Sequence, residues 1–149
     1  MIIHPTEKDI PELRRSIIAL FNTPFTKSTF KTIFQVSQYC YIQKEENSIV
    51  SALLCSLESR HILEIKSFYT LPAYREKGFG SSLLSQLIHD FNNQNLLTSI
   101  SLHVLKENQE AVSLYKKYGF IIIRTIENYN RRVEHGDAYL MEYKRIKKM

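Results

Sequence analysis

The segment Arg75-Glu76-Lys77-Gly78-Phe79-Gly80 sets two of the chain's four glycines close together beside basic side chains. Without Cβ atoms at Gly78 and Gly80, an anion can approach main-chain N–H groups. A helix starting there adds unsatisfied donors and the positive end of its dipole. A phosphate is the ligand such a turn can hold, although a tight turn with nothing bound would use the same glycines. Neither better-known phosphate loop fits, because a Rossmann fingerprint needs a third small residue near Leu83 and a P-loop needs Gly-Lys followed by Ser or Thr. His103 is suited by type to take a proton at neutral pH, since an unperturbed imidazole titrates near about 6.5. The other histidines, His4, His61, His89 and His135, lack metal-ligand spacing, so no metal is expected. Cys40 and Cys55 form no C-x-x-C pair and fall in apolar, strand-like runs, which predicts reduced core residues rather than nucleophiles.

Periodicity predicts the elements that carry these residues. Asp9 and Pro11 mark a helix start, followed by Ile10, Leu13, Ile17, Leu20 and Phe21 at helical steps. After a Thr23-Pro24 break, Ser28 can cap a second helix whose Phe30, Ile33 and Phe34 share a face. The period then changes to that of strands at 39–44, 49–57 and 61–70, an antiparallel meander with a polar hairpin at Glu45-Glu46-Asn47-Ser48. Beyond Gly80, Leu83, Leu84, Leu87, Ile88 and Phe91 form the clearest helical stripe, and 98–105 alternates with His103 on its polar face. Strand, helix and strand make a βαβ unit, so the 61–70 and 98–105 strands are predicted to be parallel. Asn108 caps a helix bearing Ala111, Leu114, Tyr115 and Tyr118, Gly119 ends it, and strands at 120–126 and 138–144 follow.

The expected fold class is therefore α/β with a mixed sheet, in one domain over residues 1–149. With 44% hydrophobic and 23% charged residues, disorder and collagen-like repeats are excluded. The net charge of +5 is concentrated toward the C-terminal end and suits an anionic ligand or acidic partner, although such a tail is also what a solvated end looks like. No apolar run approaches a membrane span, the start lacks a signal-peptide core, and the aromatic residues suggest core rather than a nucleic-acid stacking platform. A cytoplasmic protein without membrane or direct nucleic-acid partners is expected, as a monomer or homodimer.

The glycine turn resembles the R/Q-x-x-G-x-G/A motif of the GNAT acetyltransferases, and the segment 108–120 is similar to their N-x-x-A-x-x-L-Y-x-x-x-G-F motif throughout. The element order is also that of the GNAT fold, so the resemblance covers essentially the whole chain. It implies a mostly antiparallel sheet with one parallel βαβ pair splayed at an acetyl-coenzyme A site, flanked by helices. It assigns the coenzyme to Tyr69-Thr70-Leu71, to the turn Arg75, Glu76, Lys77, Gly78, Phe79, Gly80 and Ser81, and to Asn108, Ala111 and Tyr115. Transfer would be direct, in a ternary complex, with the Thr70 N–H polarising the acyl carbonyl. Tyr115 matches the family's acid, its phenol protonated at neutral pH and able to donate to the departing sulfur. The base is left open: His103, by residue type and place on the strand's polar face, is the candidate, although a surface or hydrogen-bonded strand histidine would look the same, with Glu64 as the rival and water-mediated proton loss as a third route.

Three further stretches resemble the RimI-like acetyltransferases, which modify the N-terminal amine of a ribosomal protein. These are 24–30, the stretch Asp137-Ala138-Tyr139-Leu140-Met141, and Tyr129. In this chain Asn128 stands where a second tyrosine is expected, and His103 where that group carries a basic glutamate. Phe25, Tyr129 and Tyr139 are the residues expected to wall a groove for a peptide end. A protein N-terminal amine is thus the favoured acceptor. A small amine such as a polyamine or aminoglycoside, or a sensor that binds acyl-coenzyme A without turnover, are the alternatives.

Overall fold

Among the described residues, β-branched and apolar runs form seven strands, and the amphipathic stretches pack on them as helices. The computed structural model describes residues 1–21, 31–32, 34–129 and 136–146. Its strands are β1 (Ile2–Ile3), β2 (Tyr41–Glu45), β3 (Ser48–Leu57), β4 (Ile62–Thr70), β5 (Ser99–Leu105), β6 (Ile121–Ile126) and β7 (Ala138–Lys144). Its longer helices are α1 (Ile10–Phe21), α2 (Phe79–Asn92) and α3 (Gln109–Lys117). The strands form one sheet in the order β1-β2-β3-β4-β5-β7-β6, with β4 and β5 parallel and the other neighbours antiparallel. Among the described residues no helix is long and apolar enough to cross a membrane.

The elements differ from the sequence expectation at points that have local causes. Helix α1 begins at Ile10, and Asp9 belongs to a preceding 3-10 turn where its carboxylate accepts the Thr6 N–H at 2.8 Å. Tyr39 is not in a strand but in the 3-10 turn Ser37–Tyr39. The hairpin narrows to Glu46 and Asn47, both with positive φ (49° and 68°), the geometry of a primed turn that matches strand twist. Two-residue β1 is too short to show any period and pairs with Ile42 and Gln43. Ser28, Phe30 and Ile33, expected in a second helix, lie outside the described residues; Lys31, Thr32 and Phe34 are helical.

Alternation places the helices on opposite faces of the sheet. Tyr69 meets the Phe21 ring of α1 edge-on at 6.5 Å, whereas its neighbour Phe68 lies 6.2 Å from the Tyr115 ring of α3 and closest to Gly80 at the start of α2. One face thus carries α1, and the other α2 and α3. Leu83, Leu84, Leu87 and Phe91 of α2 are wholly buried, at roughly 1.5–3 kcal/mol each for leaving water. β5 alternates as expected, but Ser99 and Ser101 on its polar side are also buried, because the strand lies inside the sheet with neighbours on both edges.

Candidate active site

The parallel ladder between β4 and β5 is short. Three pairs form, Ile62 with Ser99, Leu63 with Ile100 and Glu64 with Ser101, after which the two strands separate while β4 continues to Thr70. This is the splay expected from the resemblance. N–H groups of successive strand residues point to opposite neighbours. Leu71 N–H bonds Val50 O of β3 at 2.8 Å, so the Thr70 N–H and C=O point the other way, into the gap, and so do those of Phe68. Tyr69 and Leu71, expected beside the coenzyme, direct their N–H groups to β3 instead. Phe68, which sequence reasoning missed, offers its main chain; only the pairing register reveals it. Arg75 Nε donates to Thr70 O at 3.1 Å and ties the glycine turn to the end of β4.

That turn is built as the residue types suggest. Gly78 is the N-cap of α2 with φ +82°, and no heavy atom lies within 4 Å of where its Cβ would stand, so this side of the helix end is open. No side chain caps the helix, and its first internal bond is Ser82 N–H to Gly78 O at 3.0 Å. The N–H groups of Phe79, Gly80 and Ser81 therefore remain as donors for an anion. At Gly80 a Cβ would make only ordinary contact with Phe68 and Thr70 at 3.5 Å. Glu76 adopts positive φ (65°), and the Lys77 ammonium sits 5.4 Å from the Tyr74 ring. A cavity of about 530 Å³ with Ser81, Ser85, His89 and Tyr118 in its walls lies beside α2, and its walls include neither Tyr115 nor His103.

Tyr115 reaches the gap from the α3 side. The Asn108 side chain caps α3 by accepting Ala111 N–H at 3.2 Å. At the other end Phe120 N–H bonds Tyr115 O and Gly119 N–H bonds Lys116 O, a Schellman stop that presses the Phe120 ring against Tyr115 at 5.6 Å. The Tyr115 ring is buried, and burial raises its phenol well above the usual value, so the proton stays on through neutral and mildly alkaline pH.

His103 and Glu64 lie on the opposite face, that of α1. Ser67 pairs with Leu54 and Ile65 with Cys55, which leaves Lys66 without an opposite residue. This bulge brings Glu64 and Tyr69 to one face although they are five residues apart, a spacing that would oppose them in an unbroken strand. Glu64 Oε1 stands 3.7 Å from His103 Nδ1 and 3.4 Å from Lys66 Nζ. Tyr129 stacks on the imidazole with centroids 5.1 Å apart and planes 17° off parallel. Its approach is set by Asn128, held at positive φ (54°) with its N–H donating to Asp137 Oδ1 at 2.9 Å. Tyr139 is not brought to this group: it pairs with Val104 and turns to the other face, with Lys106 6.0 Å from its ring. Phe25 lies outside the described residues.

Tyr69 adds a feature the sequence did not signal. Its hydroxyl is buried under α1 facing Ser16, and burial raises its phenol to about 12, a shift that Ser16 opposes and the Glu12 charge reinforces.

The cysteines are held as neutral thiols. Both are buried; burial pushes the Cys40 thiol up to about 12, against the partial offset of the Cys55 N–H that donates to its sulfur at 3.3 Å, and Cys55 is raised well above its usual range. A raised thiol pKa keeps the neutral form, and the thiolate is the reactive species. Neither cysteine should be alkylated by iodoacetamide at pH 8 in the folded protein, and both should be after urea denaturation, as read by mass spectrometry; rapid labelling in the absence of urea would contradict this.

An anion-accepting helix start, a splayed parallel pair and a buried phenol beside the gap define an acyl-group transferase of one class: residues 10–120 match the family model of the acetyltransferase (GNAT) family, and the chain belongs to that family. It is 26% identical over 140 residues to N-alpha-acetyltransferase 50 of Danio rerio, covering 92% of this chain and 83% of that one. The structure of Arabidopsis thaliana Naa50 in complex with the bisubstrate analogue CoA-Ac-MVNAL superposes with a TM-score of 0.87, at 26% identity and 97% coverage of both chains. The ribosomal-protein-S18-alanine N-acetyltransferase of Escherichia coli shares the fold, with a TM-score of 0.81 at 17% identity, covering 99% of this chain and 96% of that one. The RimI-like comparison thus reaches the fold, while the whole-length sequence similarity runs to the Naa50 type.

Proposed function

We propose that this chain acetylates the N-terminal α-amine of polypeptides, with acetyl-coenzyme A as donor. The observation that carries this reading is the pair of groups on the two faces of the sheet where β4 and β5 part: a proton-holding phenol on the α3 side, and an imidazole with a carboxylate on the α1 side. The coenzyme supplies an acetyl group activated as a thioester, and the residues present fit it. The N–H groups at the start of α2 suit its diphosphate, and the open side of Gly78 lets that diphosphate approach. The outward-facing main chain of Phe68 and Thr70 suits its amide-bearing arm, with the Thr70 N–H donating to the acyl oxygen. Tyr115 donates a hydrogen bond to the sulfur as charge develops there. His103 accepts the proton of the attacking amine. Whole-length similarity to proteins of the Naa50 type supports a peptide end as acceptor.

The test is a thiol-release assay with acetyl-coenzyme A against peptides of varied first residue, polyamines and aminoglycosides. Turnover of peptides bearing a free α-amine, abolished when that amine is blocked, is the expected result. Turnover of polyamines without peptides would replace this reading with a small-amine enzyme, and saturable coenzyme binding with no acceptor turned over would favour a sensor.

A further inference from the structure

The two groups that compete for the role of base lie together. We propose that Glu64 is a positioning residue for His103: its carboxylate accepts the Nδ1 proton and so presents an unprotonated Nε2 to the acceptor amine. The inference deepens the acetyltransferase reading and rests on it for the identity of the amine.

The geometry restricts the imidazole on two sides. Tyr129 covers one ring face, and the Nδ1 edge is the one turned to Glu64 Oε1 at 3.7 Å, a separation that a small side-chain rotation closes. Nε2, across the ring, is left for the acceptor. Glu64 shares its Oε1 between His103 and Lys66. Ser101, its partner across the parallel ladder, donates its hydroxyl to Glu58 at 2.8 Å instead. Lys66 Nζ stands 3.4 Å from the carboxylate, whose side chain is only 14% exposed. A neutral imidazole carries one N–H, and an acceptor fixed at Nδ1 selects the tautomer with its lone pair on Nε2. During transfer the amine nitrogen bonds the acyl carbon, the carbon–sulfur bond breaks, and the amine proton passes to Nε2. The Nδ1 proton stays on the ring, so Glu64 is never protonated. The imidazolium that forms is then paired with a carboxylate.

The tautomer is read directly by ¹⁵N NMR of the histidine-labelled full chain, with His103 assigned by its loss in His103→Gln. The wild type should show the Nδ1–H form, and Glu64→Gln should shift it toward Nε2–H, whereas Glu64→Asp should keep it in part. With the best peptide, Glu64→Gln should lower kcat by about 10- to 100-fold with KM for acetyl-coenzyme A nearly unchanged. In the His103→Ala background the same substitution should add less than about threefold, because the two side chains act as one unit. An Nε2–H tautomer in the wild type, or effects that multiply as for two independent bases, would overturn the proposal. Absence of turnover with every peptide counts against the acceptor reading instead, and the tautomer, measured without substrate, still decides the pairing.

Discussion

Replacing Tyr115 with phenylalanine should lower kcat by about 10- to 10³-fold while coenzyme affinity, read by calorimetry, stays within about twofold. The substitution removes one oxygen and keeps the ring, so the contacts with Phe68 at 6.2 Å and Phe120 at 5.6 Å persist and the fold should be unaffected. The size of the loss follows from the environment. Burial pushes the phenol above its usual value of about 10, whereas a thiol titrates near about 8.5, so complete proton transfer to a departing thiolate is uphill. The contribution is then a charge-assisted hydrogen bond, about 1.4–4 kcal/mol of barrier for that range of rates. Because burial raises rather than lowers this pKa, Tyr115 should produce no alkaline fall in kcat below about pH 10. Unchanged kcat in the phenylalanine variant would remove Tyr115 from the chemistry.

The largest expected stability effect is at Gly119. Its φ is +96°, a conformation that costs an L-residue about 1–2 kcal/mol, and an added Cβ would stand 3.2 Å from the Tyr143 ring. That ring cannot easily give way: it packs on Phe120 at 5.6 Å and Phe91 at 6.1 Å, and its hydroxyl accepts a hydrogen bond from Asn92 Nδ2 at 2.8 Å. With about 1–3 kcal/mol of overpacking added, Gly119→Ala should destabilise by roughly 2–5 kcal/mol and lower Tm by about 4–20 °C in a chain of this size. Gly80→Ala is the control. It lacks positive φ, its Cβ would meet Phe68 and Thr70 at an ordinary 3.5 Å, and its Tm should move by only a few degrees. Equal losses in the two variants would show that the Tyr143 contact is not the cause.

Local chemistry made much of this legible. Asn108 as a cap, Gly119 as a stop and Gly78 as the bend before α2 each act within a few residues of their own position, and each stands where its type suggests. The parallel β4–β5 pair follows from strand, helix and strand in succession. What could not be read depends on register between distant segments. The placement of β7 between β5 and β6 is one case. The Phe68 main chain is another, because which N–H groups face the gap depends on pairing with β3. Tyr139 looks in sequence like a companion of Tyr129, yet its pairing with Val104 rather than His103 sends it to the far side. Conversely, Glu64 and His103 look like alternatives in a linear reading and are neighbours in space.

The unmatched Lys66 makes the site sensitive to strand length in a particular way. Between Glu64 and Thr70, losing or gaining one residue would exchange the carboxylate's side of the sheet for the coenzyme's, and the buried Leu63 beside it would change sides as well. Losing or gaining two would restore the facing. Chains descended from a common ancestor with this one should therefore vary in that stretch by even steps, or move the acid elsewhere when the step is odd.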